Sequence, residues 1–159
     1  MRIAIIGAGS VGTNLHHAFI VKGIHAELLH GRPLTADPEA VKMLPKADIY
    51  IYTIADHALR EVVSKVNAPQ ALHLHTSGSM PIDVFGPDKP HAGVMYFFQS
   101  FSREVLIDDW SGIPCVIEGH LRCISRAAGD RIQNTRRARL RSRAQQYIHP
   151  RRPRSQVRL

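Results

Sequence analysis

Apolar residues along the first 119 positions follow two alternating spacings. Short runs rich in β-branched residues, the first being Ile3–Ile6, predict buried strands. Between these runs apolar residues recur at helical spacing, as in the segment from Thr13 to Lys22, which Gly23 closes. A chain that alternates strands with helices in this way predicts an α/β fold with a doubly wound, mainly parallel sheet.

The remaining elements continue this alternation. We predict strands over residues 24–30, 47–54, 71–75 and 111–119, and helices over residues 37–44 and 57–66. Asp37 is the predicted cap of the first of these two helices, with Pro38 at its first position. Asp56 is the predicted cap of the second helix.

A glycine-rich motif, Gly7-Ala8-Gly9-Ser10-Val11-Gly12, lies between the first strand and the first helix. Gly7 allows a sharp turn, Gly9 lets a pyrophosphate approach the backbone, and Gly12 lets the helix lie close to the strand. The N–H groups and the dipole at the helix N-terminus favour phosphate. An ordinary glycine-rich turn is the alternative, but the strand–loop–helix context predicts that all six residues of the motif bind a dinucleotide.

The end of the second strand bears on which dinucleotide is bound. A fold of this type places an Asp or Glu there, which binds the ribose hydroxyls of NAD. Glu27 lies too early in the strand, and Arg32 stands at the strand end instead. A guanidinium suits the 2′-phosphate of NADP(H), so we predict that cofactor; the alternative is that Arg32 is a solvated loop cation.

Two further turns follow predicted strands and therefore fall on the ligand-binding edge of the sheet. The backbone of Ile54 and Ala55 is predicted to line the nicotinamide ribose. The turn Thr76-Ser77-Gly78-Ser79 brings three hydroxyl groups to the same edge, where it either contacts the ligand or caps itself.

His91 precedes an aromatic-rich stretch over residues 92–102. An imidazole near the sheet edge could donate a proton to a carbonyl or imine as hydride arrives. His91 is therefore a predicted catalytic group together with Thr76 and Ser77, and a hydrogen-bonded structural histidine is the alternative.

The remaining histidines and cysteines that could react or bind a metal do not predict a further site. His73 and His75 share one face of a strand, but no third ligand follows at suitable spacing, so no metal is predicted. Cys115 is predicted to be a small buried hydrophobe, and Cys115 and Cys123 make no disulfide framework. The absence of a long apolar run and of a signal peptide predicts a cytoplasmic protein without a membrane span.

Five segments stand in the order found in a known family: G-A-G-S-V-G, A-D-I-Y-I-Y-T-I-A-D, H-T-S-G-S, H-A-G-V-M-Y-F-F-Q-S-F-S and S-G-I-P-C-V-I-E-G. From residue 1 to about residue 119 the sequence resembles the Rossmann-like NADP oxidoreductases that carry a C-terminal helical domain of unknown function. That family is distantly similar to pyrroline-5-carboxylate reductases and β-hydroxyacid dehydrogenases. The resemblance implies an NADP-binding domain, with Thr76, Ser77, Gly78 and His91 near the nicotinamide or the substrate, and a homodimer formed through the helical domain.

These observations together predict an NADP(H)-dependent oxidoreductase that transfers hydride to or from a small carbonyl, imine or hydroxy acid. Two alternatives come from other functional classes. One is a dinucleotide-binding module, or truncated fragment, without catalysis. The other is a protein that binds nucleic acid through its C-terminal segment.

Charge divides the chain where the resemblance ends. Residues 1–119 hold nine basic and twelve acidic residues, whereas residues 120–159 hold twelve arginines, no lysine and one acid. Residues 120–130 fit an amphipathic helix, but apolar residues are scarce beyond them, which predicts disorder. We therefore expect a dinucleotide-binding domain over residues 1–119, and a short helix with an arginine-rich tail over residues 120–159.

Two interpretations explain the composition of this tail. Arginine without lysine is typical of GC-rich sequence translated out of frame, so a frameshift near residues 130–136 would explain the loss of a helical domain. The other reading frames of the gene test this hypothesis. A genuine basic arm for nucleic acid is the alternative, although Tyr147 is the only aromatic residue in the tail that could stack on a base.

Overall fold

The computed structural model describes residues 1–119, which form a six-stranded sheet with helices on both faces. The strands are β1 (Ile3–Ile6), β2 (Ala26–Leu29), β3 (Ile49–Tyr52), β4 (Leu72–His75), β5 (Ala92–Phe97) and β6 (Cys115–Gly119). The helices are α1 (Ser10–Val21), α2 (Gly31–Ala36), α3 (Pro38–Lys42) and α4 (Asp56–Lys65), and a 3₁₀ helix covers Ile82–Phe85. The short helix and the arginine-rich tail predicted over residues 120–159, together with Cys123, lie outside the described residues.

The strand order is β2-β1-β3-β4-β5-β6, with β1 to β5 parallel and β6 antiparallel to β5. This confirms the predicted doubly wound, mainly parallel sheet. The chain leaves β1 towards β2 on one side and later returns to place β3 on the other. The carboxyl ends of β1 and β3 therefore border a switch point, where sheets of this class bind ligands.

Successive residues of a strand point to opposite faces of the sheet, and both faces of β1 are buried. Ala4 and Ile6 pack in a cluster with Leu59 of α4. Ile3 and Ile5 pack in a second cluster with Leu15 of α1. Because helices cover both faces, the central strands are apolar at nearly every position.

Helix α2 was not predicted, because the sequence Gly31-Arg32-Pro33 suggests a turn. Pro33 lies in the first turn of α2, where its missing N–H group is not required for the helix. The Lys65 ammonium donates to the carbonyl oxygens of Leu34 and Thr35, at 3.1 and 3.2 Å. The last carbonyl groups of a helix have no hydrogen-bond donor within it, and here a residue distant in sequence supplies the donor for two of them.

The predicted cap by Asp56 is wrong, whereas the cap by Asp37 is confirmed. Ala55 takes the cap position of α4, and Asp56 is the first helical residue, with its carboxylate accepting a hydrogen bond from the Ser79 hydroxyl. A carboxylate of Asp37 accepts from the backbone N–H of Glu39 at 2.9 Å. The side chain of Asp56 thus contacts the turn after β4 and does not cap α4.

The prediction that Cys115 is buried is wrong, since Cys115 is exposed. It begins β6, an edge strand of the sheet, whose residues are only partly covered by the rest of the described chain. Among residues 1–119, no helix combines the length and apolar character that crossing a membrane requires.

Candidate dinucleotide-binding site

The turn after β1 is built around two glycines that admit no side chain. Gly7 has a φ of +123°, and a Cβ on it would lie 2.6 Å from the carbonyl oxygen of Thr53. A Cβ on Gly12 would collide with the carbonyl oxygen of Gly7 and lie 2.5 Å from Thr53 Oγ1. The Thr53 hydroxyl fixes this arrangement by donating to the Gly7 carbonyl at 2.7 Å. Helix α1 therefore starts in close contact with β1 and with the end of β3.

The N-terminus of α1 lies beside open space. Gly9 takes the cap position, no side chain caps the helix, and no acid lies in its first turn. A Cβ on Gly9 would meet only the Thr53 carbonyl oxygen, at 3.8 Å, so the backbone is uncovered on its outer side. Ser10 and Val11 belong to the first turn, whose N–H groups lack helical acceptors. These donors and the helix dipole suit an anion.

A cleft of about 650 Å³ opens above this turn at the carboxyl edge of the sheet. Its walls are the glycine-rich turn, α2, and the turn from β3 into α4. Six of the predicted cofactor residues line it: Gly7, Ala8, Gly9, Arg32, Ile54 and Ala55. Ser10, Val11 and Gly12 lie in α1 beside it, and no acidic residue lines it among residues 1–119.

Arg32 lies on α2 with an exposed side chain that faces this cleft. No carboxylate within residues 1–119 forms an ion pair with its guanidinium. The helix stands close to the β3–α4 turn, because a Cβ on Gly31 would lie 2.6 Å from Ile54 Cγ2. The hydroxyl of Thr35 donates to the Arg32 carbonyl at 2.9 Å. A cationic side chain thus follows β2, where dinucleotide sites that select NAD carry a carboxylate.

A solved structure from Bacteroides fragilis, provisionally assigned as an NADP oxidoreductase, matches this chain with a TM-score of 0.61 and 29% identity, over 74% of this chain and 51% of that one. The chain resembles the Rossmann-like NADP oxidoreductases. The predicted resemblance is therefore confirmed.

Two more distant structures share the fold of these oxidoreductases with this chain. A protein from Enterococcus faecalis, provisionally assigned as a 2-dehydropantoate 2-reductase, gives a TM-score of 0.61 at 15% identity, over 80% of this chain and 52% of that one. A protein from Thermotoga maritima matches with a TM-score of 0.57 at 14% identity, over 79% of this chain and 51% of that one. The chain thus spans about half the length of each of the three. No protein-family model matches the sequence, and no curated protein matches it either.

The resemblance to the Rossmann-like NADP oxidoreductases implies that the turn after β4 approaches the nicotinamide or the substrate. The structure places this turn at the carboxyl edge, but none of Thr76, Ser77 and Gly78 lines the cleft. Ser77 Oγ accepts from the backbone N–H groups of Ser79 and Met80, at 3.2 and 3.1 Å. The turn therefore caps itself, and its contact with a ligand stays a prediction.

The predicted position of His91 is wrong. His91 directly precedes β5, and its carbonyl accepts from the N–H of His73, near the start of β4. The last residue of β4, His75, pairs with Val94, three positions beyond His91. At about 3.3 Å per residue, His91 lies roughly 10 Å below the carboxyl edge. It is too far from the cleft to protonate a substrate there.

The two histidines of β4, His73 and His75, are buried in the core. His73 Nε2 lies 2.8 Å from the Ala68 carbonyl, to which it must donate, so Nδ1 accepts from the Tyr52 hydroxyl at 3.0 Å. Burial lowers the pKa of His73 to about 4, and burial also lowers the pKa of His75, whose ring stacks on Phe85. No group of three potential metal ligands occurs among residues 1–119.

Sequence reasoning missed several residues of the cleft. His30, Thr35 and His57 also line it, and Arg103 lines it near the glycine-rich turn. His30 is the cap residue of the unpredicted helix α2, and Thr35 lies within that helix. Arg103 lies 95 residues from its partner Ala8, so no local pattern could have linked the two.

Proposed function

We propose that the chain binds NADP(H) and supports an oxidoreductase reaction on a small carbonyl, imine or hydroxy acid. The observation that carries this proposal is the cleft itself. A helix N-terminus without a side-chain cap opens on one side of it, and on the other lies the guanidinium of Arg32, which forms no ion pair with a carboxylate of residues 1–119. The resemblance to an NADP oxidoreductase from Bacteroides fragilis, as that protein is provisionally assigned, supports the same class of cofactor.

The residues present fit a dinucleotide phosphate. The backbone N–H groups at the start of α1 donate to the pyrophosphate, and the missing Cβ of Gly9 leaves room for its approach. Arg32 would hold the 2′-phosphate, because a guanidinium is a charged donor that suits phosphate oxygens. The backbone of Ile54 and Ala55 supports the ribose on the opposite wall. When bound, the dinucleotide supplies or accepts a hydride at its nicotinamide ring.

Residues 1–119 form the dinucleotide-binding part of this proposal. Thr76 and Ser77 remain the candidates for contacts with substrate, because their turn follows the strand next to β3 at the same edge. The proton donor is a residue other than His91. A small-molecule substrate and a homodimer remain the proposed partners, and nucleic acid is not required.

The choice of cofactor is tested by titrating the protein with NADPH and with NADH, following nicotinamide fluorescence. NADPH is expected to bind more tightly, and Arg32→Gln to weaken NADPH about tenfold while leaving NADH nearly unchanged. Arg60→Gln is the matched control, because Arg60 is exposed on α4 and does not line the cleft. Failure of the wild-type protein to bind either dinucleotide would overturn the proposal. An equal loss for both would remove Arg32 from the 2′-phosphate site.

A second candidate is a dinucleotide-binding module without catalysis. The observation that favours it is the distance of His91 from the cleft, which leaves no predicted proton donor there. Consumption of NADPH with a panel of small aldehydes, ketones and cyclic imines separates the two. Turnover above the Gly12→Ala background supports the oxidoreductase, and tight binding without turnover of any of them supports the module.

A further inference from the structure

The segment over residues 102–107 lies across the first turns of α1 and is held there by Asn14. The Asn14 side chain is completely buried. Its amide nitrogen donates to the carbonyl oxygens of Ser102, at 2.5 Å, and Ser10, at 3.0 Å. Its amide oxygen accepts from the backbone N–H of Ile107 at 3.0 Å. One buried side chain therefore ties both ends of the segment to the helix that begins at the glycine-rich turn.

Contacts beyond the segment strengthen this attachment. His17 of α1 lies 2.6 Å from the carboxylate of Asp108. Trp110 packs edge-on against Phe97 of β5 and stacks on Phe101, with ring centroids 5.1 and 5.2 Å apart. The segment is thus held in a fixed position by its neighbours on both sides.

Arg103 is the residue that this arrangement brings to the cleft. One nitrogen of its guanidinium donates to the carbonyl oxygen of Ala8 at 2.5 Å, and the side chain lines the cleft beside Gly9. A guanidinium carries five N–H donors, so most remain available for another partner. Within residues 1–119 no carboxylate forms an ion pair with Arg103. Its charge therefore adds to the field of the uncapped helix N-terminus.

We propose that Arg103, carried by the segment that Asn14 holds against α1, binds the pyrophosphate of the dinucleotide. This inference rests on the proposed function and adds a second cation with a separate task. Arg32 lies on α2, at the wall assigned to the 2′-phosphate, whereas Arg103 touches the glycine-rich turn, where the pyrophosphate lies. Arg32 distinguishes NADPH from NADH, and Arg103 contacts the part that both share.

The test compares Arg103→Gln, Arg103→Lys and the control Arg60→Gln in titrations with NADPH and NADH. Arg103→Gln is expected to weaken both dinucleotides about tenfold and equally, because a charge-assisted phosphate contact is lost from each. Arg103→Lys is expected to recover part of the loss, since a lysine keeps the charge without the planar fork. Arg60→Gln is expected to change neither affinity.

Adenosine, which carries no phosphate, separates a phosphate contact from a purely structural role. Arg103→Gln is expected to leave the affinity for adenosine unchanged. An equal loss for adenosine and NADH would overturn the inference, because it would mean that Arg103 only supports the turn. Unchanged affinity for both dinucleotides would also overturn it while leaving the proposed function intact. Absence of binding by the wild-type protein, by contrast, would overturn the proposed function itself.

Discussion

Gly12 shows how one residue controls the distance between a helix and a strand. Its position leaves no space for a methyl group between the Gly7 carbonyl and the Thr53 hydroxyl. Both are fixed, because Thr53 donates to Gly7 at 2.7 Å and the Thr53 N–H donates to Ile6 at 2.9 Å. A side chain at this position can be accommodated only if α1 moves away from the sheet.

Gly12→Ala is therefore expected to lower the free energy of unfolding by about 1–3 kcal/mol, as in other overpacked sites. It is also expected to abolish NADPH binding, because the donors of α1 move with the helix. Urea denaturation and nicotinamide fluorescence measure the two effects. Gly112→Ala is the matched control, since a Cβ there meets nothing within 4 Å, and its stability should change by less than about 0.5 kcal/mol.

His73 makes the stability of the fold depend on pH. Burial lowers its pKa from 6.5 to about 4, and the nearby charges of Lys89 and His91 act in the same direction. As the pH falls below 6.5, His73 becomes protonated in the unfolded chain but stays neutral in the folded protein until the pH approaches 4. The unfolded state therefore binds more protons, and stability decreases with decreasing pH. This single group is expected to cost about 3 kcal/mol between pH 7 and pH 4.

Urea denaturation at several pH values checks this expectation. His73→Gln should reduce the loss of stability between pH 7 and pH 4, since the amide cannot titrate. His25→Gln, which alters an exposed histidine, should leave the loss as it is in the wild-type protein. Identical pH profiles for the wild-type protein and His73→Gln would show that His73 does not carry this dependence.

At the scale of the elements, the sequence was informative where local pattern determines structure. The apolar run Ile3–Ile6, the glycines of the turn and the Asp37-Pro38 start of α3 each predict what the structure contains. These features depend on residues close together in the chain. The boundaries differ by up to four residues, since β6 begins at Cys115 where the sequence predicts residue 111, and α1 begins at Ser10 where it predicts Thr13.

The elements that sequence reasoning missed depend on distant partners. Lys65, about 30 positions away, donates a hydrogen bond to a carbonyl of helix α2. The carboxylate of Asp56 accepts a hydrogen bond from the Ser79 hydroxyl and does not cap α4 as predicted. His91 was assigned to the wrong edge because the start of β5 could not be located within an aromatic-rich stretch. Arg103 was missed because its approach to Ala8 requires the fold of the whole sheet.

At the scale of the whole molecule, the order of the strands decides where chemistry is possible. Since β2 and β3 lie on opposite sides of β1, their carboxyl ends leave a crevice that α2, α4 and the glycine-rich turn enclose. The described residues contain more acids than bases, so we expect binding of an anionic dinucleotide to depend on two local cations and a helix end. In the proposed site Arg32 lies at the 2′-phosphate and Arg103 at the pyrophosphate.

The most direct test of the account follows the backbone amide resonances of the protein by NMR during titration with NADPH and with NADH. Both dinucleotides are expected to shift the amides of residues 9–12, because these N–H groups meet the pyrophosphate. NADPH alone is expected to shift Arg32 and Thr35 strongly, because only NADPH carries the 2′-phosphate. Unshifted amides at residues 9–12 with NADPH in excess, or shifts confined to another face of the sheet, would contradict the proposed site.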